Sequence, residues 1–191
     1  YQSWQDGKRW ELIDGCVHAM SPSPTCRHQD ISLALGSQML AFFKGKKCRV
    51  FPAPMDVKLS EEDVVQPDLL VVCNPGQIKQ HVEGPPSLVV EILSESSLSH
   101  DRILKTDLYA RFGVKEYWIV TPFPSVVEVY LLQDGKYLRW KAFGGKDALT
   151  SPSFPDLEIE LKDVFDFPLE PHELALLVVK EPPAHYRPAA P

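Results

Sequence analysis

The segment LVVEILSESSLSHDRILKTDLY, residues 88–109, decides the fold. Its first six residues form an apolar strand with one acid, Glu91, in the middle. Its second half reads as a helix with Lys105 on the side that should be buried. A second apolar strand, EYWIVTP (116–122), follows, so strand, helix and strand form a plausible βαβ crossover unit. A sheet flanked by helices buries both of its faces. A carboxylate and an ammonium therefore stand where packing favours hydrocarbon.

Strand alternation puts Val89, Glu91 and Leu93 on one face and Leu88, Val90 and Ile92 on the other. An isolated buried carboxylate costs on the order of several kcal/mol unless it is paired, protonated or metal-bound. At ~100° per residue, Leu104, Leu108, Phe112 and Tyr109 form an apolar arc on the helix. Asp101 and Lys105 fall inside that arc, and Arg102, Thr106 and Ala110 take the solvent side. Lys105 then points at the sheet, within reach of Glu91. The plainer reading is a packed alkyl stem whose amine escapes to water.

Working outward, PDLLVVC (67–73) is another core strand, with Asp68, Leu70 and Val72 on one face. If it neighbours the Glu91 strand, Asp68 and Glu91 converge at one sheet edge. Taken alone, Asp68 reads first as a strand-entry or turn acid and only second as a ligand. Two close carboxylates repel unless a divalent cation neutralises them, and oxygen-only ligands suit Mg²⁺ or Mn²⁺.

WELIDGCVHAM (10–20) reads as a hairpin turning at Asp14-Gly15. Thr25 is a fitting N-cap for a helix over 26–43, whose inward stripe is His28, Ile31, Leu35, Met39 and Phe42. Short extended segments lie within 48–60, and residues 74–87 are a polar Pro/Gly-rich loop. Two strands flank Gln133-Asp134-Gly135, and DLEIELKDVF (156–165) is a strand running into a helical turn. The expected fold is α/β or α+β, a mixed, twisted sheet flanked by helices with additional hairpins. A single domain over 1–170 is followed by a C-terminal segment, 171–191, with a Pro-rich tail.

The chain has 191 residues, 44% hydrophobic and 24% charged, as in ordinary soluble domains. Its apolar runs are too short to span a bilayer, so no membrane partner is expected. No signal-like segment opens the sequence at Tyr1, and a cytoplasmic location is the expectation. The net charge of −6 counts mildly against tight nonspecific DNA binding but permits a local basic patch. Cys16, Cys26, Cys48 and Cys73 are irregularly spaced and are read as structural thiols in preference to disulfides or zinc ligands. There is no P-loop, GxGxxG or nucleophile elbow.

The order PD (67–68), GPPSLVVEILSESS (84–97), D-x-x-x-K (101–105), Tyr109 and GVKEYWIVTP (113–122) resembles the Uma-two family of restriction-endonuclease-like proteins, in the PD-(D/E)XK nuclease superfamily. ELIDG (11–15), SPSPTCRHQ (21–29) and SFPDLEIEL (153–161) resemble the same family, so the resemblance covers residues 9–166. It implies a restriction-endonuclease-like core, with Asp68 and Glu91 as the motif acids. The superfamily's usual lysine position is Leu93 here, so the simple motif is broken. In such families the following helix can supply the lysine, and Lys105 fits. Thr121 also departs from the Asp common in relatives.

The resemblance implies Mg²⁺- or Mn²⁺-dependent hydrolysis of phosphodiester bonds, in DNA, with Asp68, Glu91 and the Ile92 carbonyl at the metal. Lys105 would orient the attacking water or stabilise developing charge. Glu11, His28 and Asp101 are supporting candidates. Against these roles, Glu11 reads as a hairpin acid, His28 as a core or capping histidine, and Asp101 as a helix N-terminal acid. Tyr109, Tyr117 and Trp118 are read as packing. Nucleases of this architecture often dimerise, so the resemblance makes a homodimer one candidate assembly and leaves the oligomeric state open. The competing functions are a catalytically vestigial module of the same fold that binds nucleic acid or protein, and a hydrolase of smaller phosphoesters.

Overall fold

The computed structural model describes residues 9–20, 24–94 and 100–177, without the side chains of 100–102 and 175–177. The chain opens with β1 (Trp10–Ile13) and β2 (Cys16–Ala19). Asp14 and Gly15 join them with φ of 51° and 71°, the left-handed pair a tight hairpin requires. Helix α1 (Cys26–Phe43) starts at Thr25, whose Oγ1 accepts from the His28 backbone N–H at 3.2 Å. Strands β3 (Arg49–Pro52), β4 (Val57–Lys58), β5 (Val64–Val65), β6 (Leu69–Val72), β7 (Val82–Glu83) and β8 (Leu88–Ile92) follow. Helix α2 (His100–Phe112) returns the chain to β9 (Glu116–Thr121). The hairpin of β10 (Val126–Gln133) and β11 (Lys136–Gly144) is followed by β12 (Ala148–Thr150), β13 (Glu158–Glu160), α3 (Leu161–Val164) and α4 (Pro171–Leu177).

The main sheet runs β11-β10-β9-β8-β6-β3. Only β8 and β9 are parallel in it, and the α2 crossover joins them. One face packs against α1, through Ile31, Leu35, Met39 and Phe43 against Leu69, Val71, Leu88, Val90, Trp118 and Val120. Phe43, not Phe42, completes the buried stripe, and Phe42 packs half-buried beside it. A Cβ on Gly36 would lie 3.1 Å from Leu69 Cδ2, so the glycine lets α1 settle closely on β6.

The other face carries Leu70, Val72, Val89, Tyr117 and Ile119, covered by Leu108 and Tyr109 of α2 and by a second sheet. That sheet, β2-β1-β5-β4-β7, was not evident in the sequence. β5 has two residues and β7 interrupts the segment read as loop, too little chain for periodicity to register.

Two expectations are corrected. Cys48 and Cys73 form a disulfide, their Cα atoms 4.0 Å apart, because Cys48 precedes β3 and Cys73 follows β6 in an antiparallel pair. Irregular sequence spacing hid a proximity that strand pairing creates. Cys16 and Cys26 are free thiols. Thr106, assigned to solvent, is half-buried and hydrogen-bonds Tyr117, while Ile103 takes the outer face. The Pro-rich tail lies outside the described residues. Among those described, no helix is long and apolar enough to cross a membrane.

The disulfide closes a loop of 25 residues in sequence separation. Loop-closure entropy on that scale is worth about 2–4 kcal/mol. The Cys48→Ser/Cys73→Ser double variant is therefore expected to unfold at lower urea, with a somewhat steeper denaturant slope because the uncrosslinked unfolded chain exposes more surface. An unaltered midpoint would remove the bridge from the account of stability.

Candidate functional site

The antiparallel ladder between β6 and β8 sets Leu69 opposite Val90. One position further, Asp68 meets Glu91 at the end of the pairing. Asp68 Oδ2 accepts from the Ile92 backbone N–H at 2.7 Å, which ties the acid to the strand that carries Glu91. The His28 Nε2 lies 3.3 Å from the same Oδ2. Both contacts use Oδ2, and Oδ1 takes part in neither. Burial works to lower the His28 pKa, but Asp68 and the Ile92 backbone more than offset it and the imidazole is raised overall. Its Nδ1 is buried with no partner among the described residues.

Glu91 is buried in the face that α2 covers. Its Oε1 accepts from the Tyr109 hydroxyl at 2.7 Å and from Lys105 Nζ at 3.2 Å. Oε2 takes part in neither bond. Lys105 is also buried and reaches Glu11 Oε1 at 2.9 Å, so one ammonium lies between two carboxylates. Glu11 Oε1 is held in turn by the Gln66 backbone N–H at 2.9 Å. Burial pushes Glu91 up to about 7, against Lys105, which lowers it, and with Asp68 and Glu11, which add to the rise. Burial works against the Lys105 charge, but Glu91 and Glu11 overcome it and raise its pKa. The two directions agree: two acids share one cation, and the excess negative charge favours a proton on Glu91.

Glu11 arrives here because β1 pairs with β5, Leu12 opposite Val64. Arg111 of α2 reinforces the docking, with its guanidinium 2.7 Å from Asp14 and 3.2 Å from Asp63. Asp63 is buried and also accepts from the Asp14 backbone N–H and the Ser60 hydroxyl. The second sheet is thus seated on the same helix that presents Lys105.

Among the expected residues, Glu11, Glu91 and Lys105 form one connected cluster, and Asp68 and His28 form a second at the adjoining strand end. The Asp101 side chain lies outside the described residues. Tyr109, read as packing, is fully buried and also bonds Glu91. Its position four residues after Lys105 on the same arc carried that signal. Tyr117 and Trp118 are buried. Glu116 offers a contrast on the opposite face of β9. It too is fully buried, but it accepts from Trp118 Nε1, the Ser151 hydroxyl and the Ser153 backbone N–H, all neutral donors. That arrangement fits a structural acid.

Among the described residues no three His, Cys, Asp or Glu side chains are arranged to enclose a metal ion. The carboxylates that could hold one are Asp68 and Glu91, whose donors are all oxygen. That set fits a hard divalent cation that keeps several waters better than it fits zinc.

The sequence pattern of the Uma2 (Uma-two) family, described as "Putative restriction endonuclease", matches residues 1–162. The chain belongs to the Uma2 family. Its similarity extends to an uncharacterized protein of Synechocystis sp., 27% identical over 139 residues, which spans 70% of this chain and 73% of that one. The fold matches the crystal structure of a putative nuclease of DUF820 from Anabaena variabilis with a TM-score of 0.69. That match covers 86% of this chain and 93% of the other at 22% identity, so it bears on the fold alone. A Uma2 chain with this architecture has the restriction-endonuclease-like mixed sheet that its motifs suggested. Position 93, where the simple motif would place a lysine, is Leu93, buried among apolar neighbours.

Proposed function

We propose that the protein is a divalent-metal-dependent nuclease that hydrolyses phosphodiester bonds in DNA, with Lys105 in the place of the displaced motif lysine. The observation that carries this reading is Lys105 Nζ, buried at 3.2 Å from Glu91 and 2.9 Å from Glu11. A lysine that only packs its stem in this arc extends its amine to water, whereas this one gives up solvation to lie between two acids. Asp68, Glu91 and the Ile92 carbonyl would hold Mg²⁺ or Mn²⁺. When bound, such an ion lowers the pKa of a coordinated water and polarises the phosphate. The protein's own contribution is positional. Asp68 is fixed by the Ile92 N–H, and Glu91 by Tyr109. Lys105 is held by Glu11 while it orients a water or meets the charge that develops on the phosphate. His28 braces Asp68, and Glu11 acts through Lys105.

The direct test is cleavage of single- and double-stranded DNA with Mg²⁺, Mn²⁺ or EDTA. Metal-dependent products are expected. Binding without turnover under every metal condition would instead support a vestigial module.

Metal binding should depend on pH. Glu91 carries a proton up to about pH 7. A cation held by that carboxylate would compete with the proton, so Mn²⁺ affinity is expected to rise roughly tenfold per pH unit below about 7 and level off above it. Calorimetric titration between pH 5.5 and 8 checks this. An affinity flat across that range would argue against Glu91 as a ligand.

A further inference from the structure

Helix α1 packs one side on the main sheet, through Ile31, Leu35, Met39 and Phe43, and turns the other to solvent. A second stripe runs along that outer side: Asp30, Leu33, Ser37, Leu40 and Lys44, spaced by three and four residues and all exposed. Leu33 is 73% exposed and Leu40 59%. A single surface leucine needs no explanation, but these two are aligned, seven residues apart on one helix. Ser37 lies between them, and its hydroxyl donates to the Ala34 carbonyl at 2.9 Å, so it can be covered without losing a partner. Asp30 is the only acid in α1. Neither Asp30 nor Lys44 has a hydrogen bond or an ion pair among the described residues.

The stripe is complementary to itself. Asp30 and Lys44 stand seven residues before and after Ser37. A second α1, antiparallel about a twofold axis at Ser37, therefore sets Asp30 level with the partner's Lys44 and Lys44 level with the partner's Asp30. Leu33 falls within one residue of the partner's Leu40, an axial offset of about 1.5 Å. At ~100° per residue the two leucines stand about 20° apart, and a twofold of this kind brings like sides of the two helices together. One charge of each sign, at positions that exchange under the axis, is what a contact between identical surfaces requires. A polyanion finds one cation and one acid along this stripe, with leucines between them.

We propose that the outer face of α1 docks the α1 of a second copy, in an antiparallel homodimer with Leu33 and Leu40 at its centre and an Asp30–Lys44 ion pair at each end. One helix pair buries less than about 1,200 Å² in total, so the dimer is weak and concentration-dependent. The inference needs neither metal nor cleavage and stands apart from the nuclease reading. The test is sedimentation velocity of the full chain from about 5 to about 500 μM, across which a monomer-to-dimer transition is expected. Leu33→Ala/Leu40→Ala should raise the dissociation constant at least about tenfold. Because both leucines are exposed, that variant should keep the urea midpoint of the wild-type monomer, which separates dissociation from misfolding. Asp30→Lys and Lys44→Asp each set like charges together and should weaken association about 3- to 30-fold. Combined in one chain they restore opposite charges, and affinity should return to within about threefold of wild type. A chain that stays monomeric at every concentration would overturn the proposal. So would a dimer untouched by the leucine substitutions, or two charge reversals that fail to rescue each other.

Discussion

Lys105→Met is expected to abolish metal-dependent cleavage and to destabilise the protein more at alkaline than at acidic pH. The substitution keeps the stem and removes the charge that Glu11 and Glu91 share. Removing one partner of a buried ion pair costs about 3–5 kcal/mol, because the remaining charge is left without compensation. Here two acids remain. Lys105 lowers the Glu91 pKa from the level burial would set, so its loss moves that pKa above about 7. A carboxyl raised in the folded state holds a proton that the unfolded chain releases. Its stabilising share is present at low pH and is lost as pH rises through the folded value. Urea titrations at pH 5 and pH 8 should therefore diverge more for the variant than for wild type, the excess arising above about pH 7. Equal midpoints at both pH values would mean that Lys105 does not sit between the acids. The rate should fall by on the order of 10²–10³ or more, the scale of losing one preorganised electrostatic group.

Glu91→Gln and Asp68→Asn form the second test, in which chemistry and folding separate. Gln has the shape of a protonated Glu91, and Glu91 is already close to half-protonated at neutral pH. Its amide oxygen can still accept from Tyr109 and Lys105. Stability near pH 7 is expected to stay within about 1 kcal/mol, while Mn²⁺ binding and cleavage disappear. Asp68→Asn likewise keeps an oxygen for the Ile92 N–H but removes the negative charge beside His28. Its cleavage rate is expected to fall at least about 10²-fold with circular dichroism unchanged. Normal turnover in both variants would refute the site. Loss of turnover with full metal affinity would move these acids from ligation to positioning.

The parts of the fold that could be read in the sequence were those with long or chemically marked signals. Asp14-Gly15 and Asp134-Gly135 announce hairpins, Thr25 announces a helix start, and the β8–α2–β9 alternation announces a crossover. The angular position of Lys105 was legible because thirteen helical residues give the arc enough turns to define. Glu11 was ambiguous because its environment depends on β5, two residues that no local rule identifies. The Cys48–Cys73 bridge depends on which strands lie side by side, and spacing along the chain does not encode that. Tyr109 shows a further limit: a phenol buried for packing and one buried to bond a carboxylate look alike until the carboxylate is located.

The Asp68–Glu91 juxtaposition has a consequence for how the protein is made. Side chains along a strand alternate with a period of two. If β6 annealed to β8 one residue out of step, Asp68 would turn away while Leu69 to Val72 still found apolar company on both sides, since all four are buried. Such a molecule would keep nearly native ellipticity and have no assembled site. The active fraction of a refolded preparation, titrated with Mn²⁺, is therefore a more stringent measure of success than its spectrum.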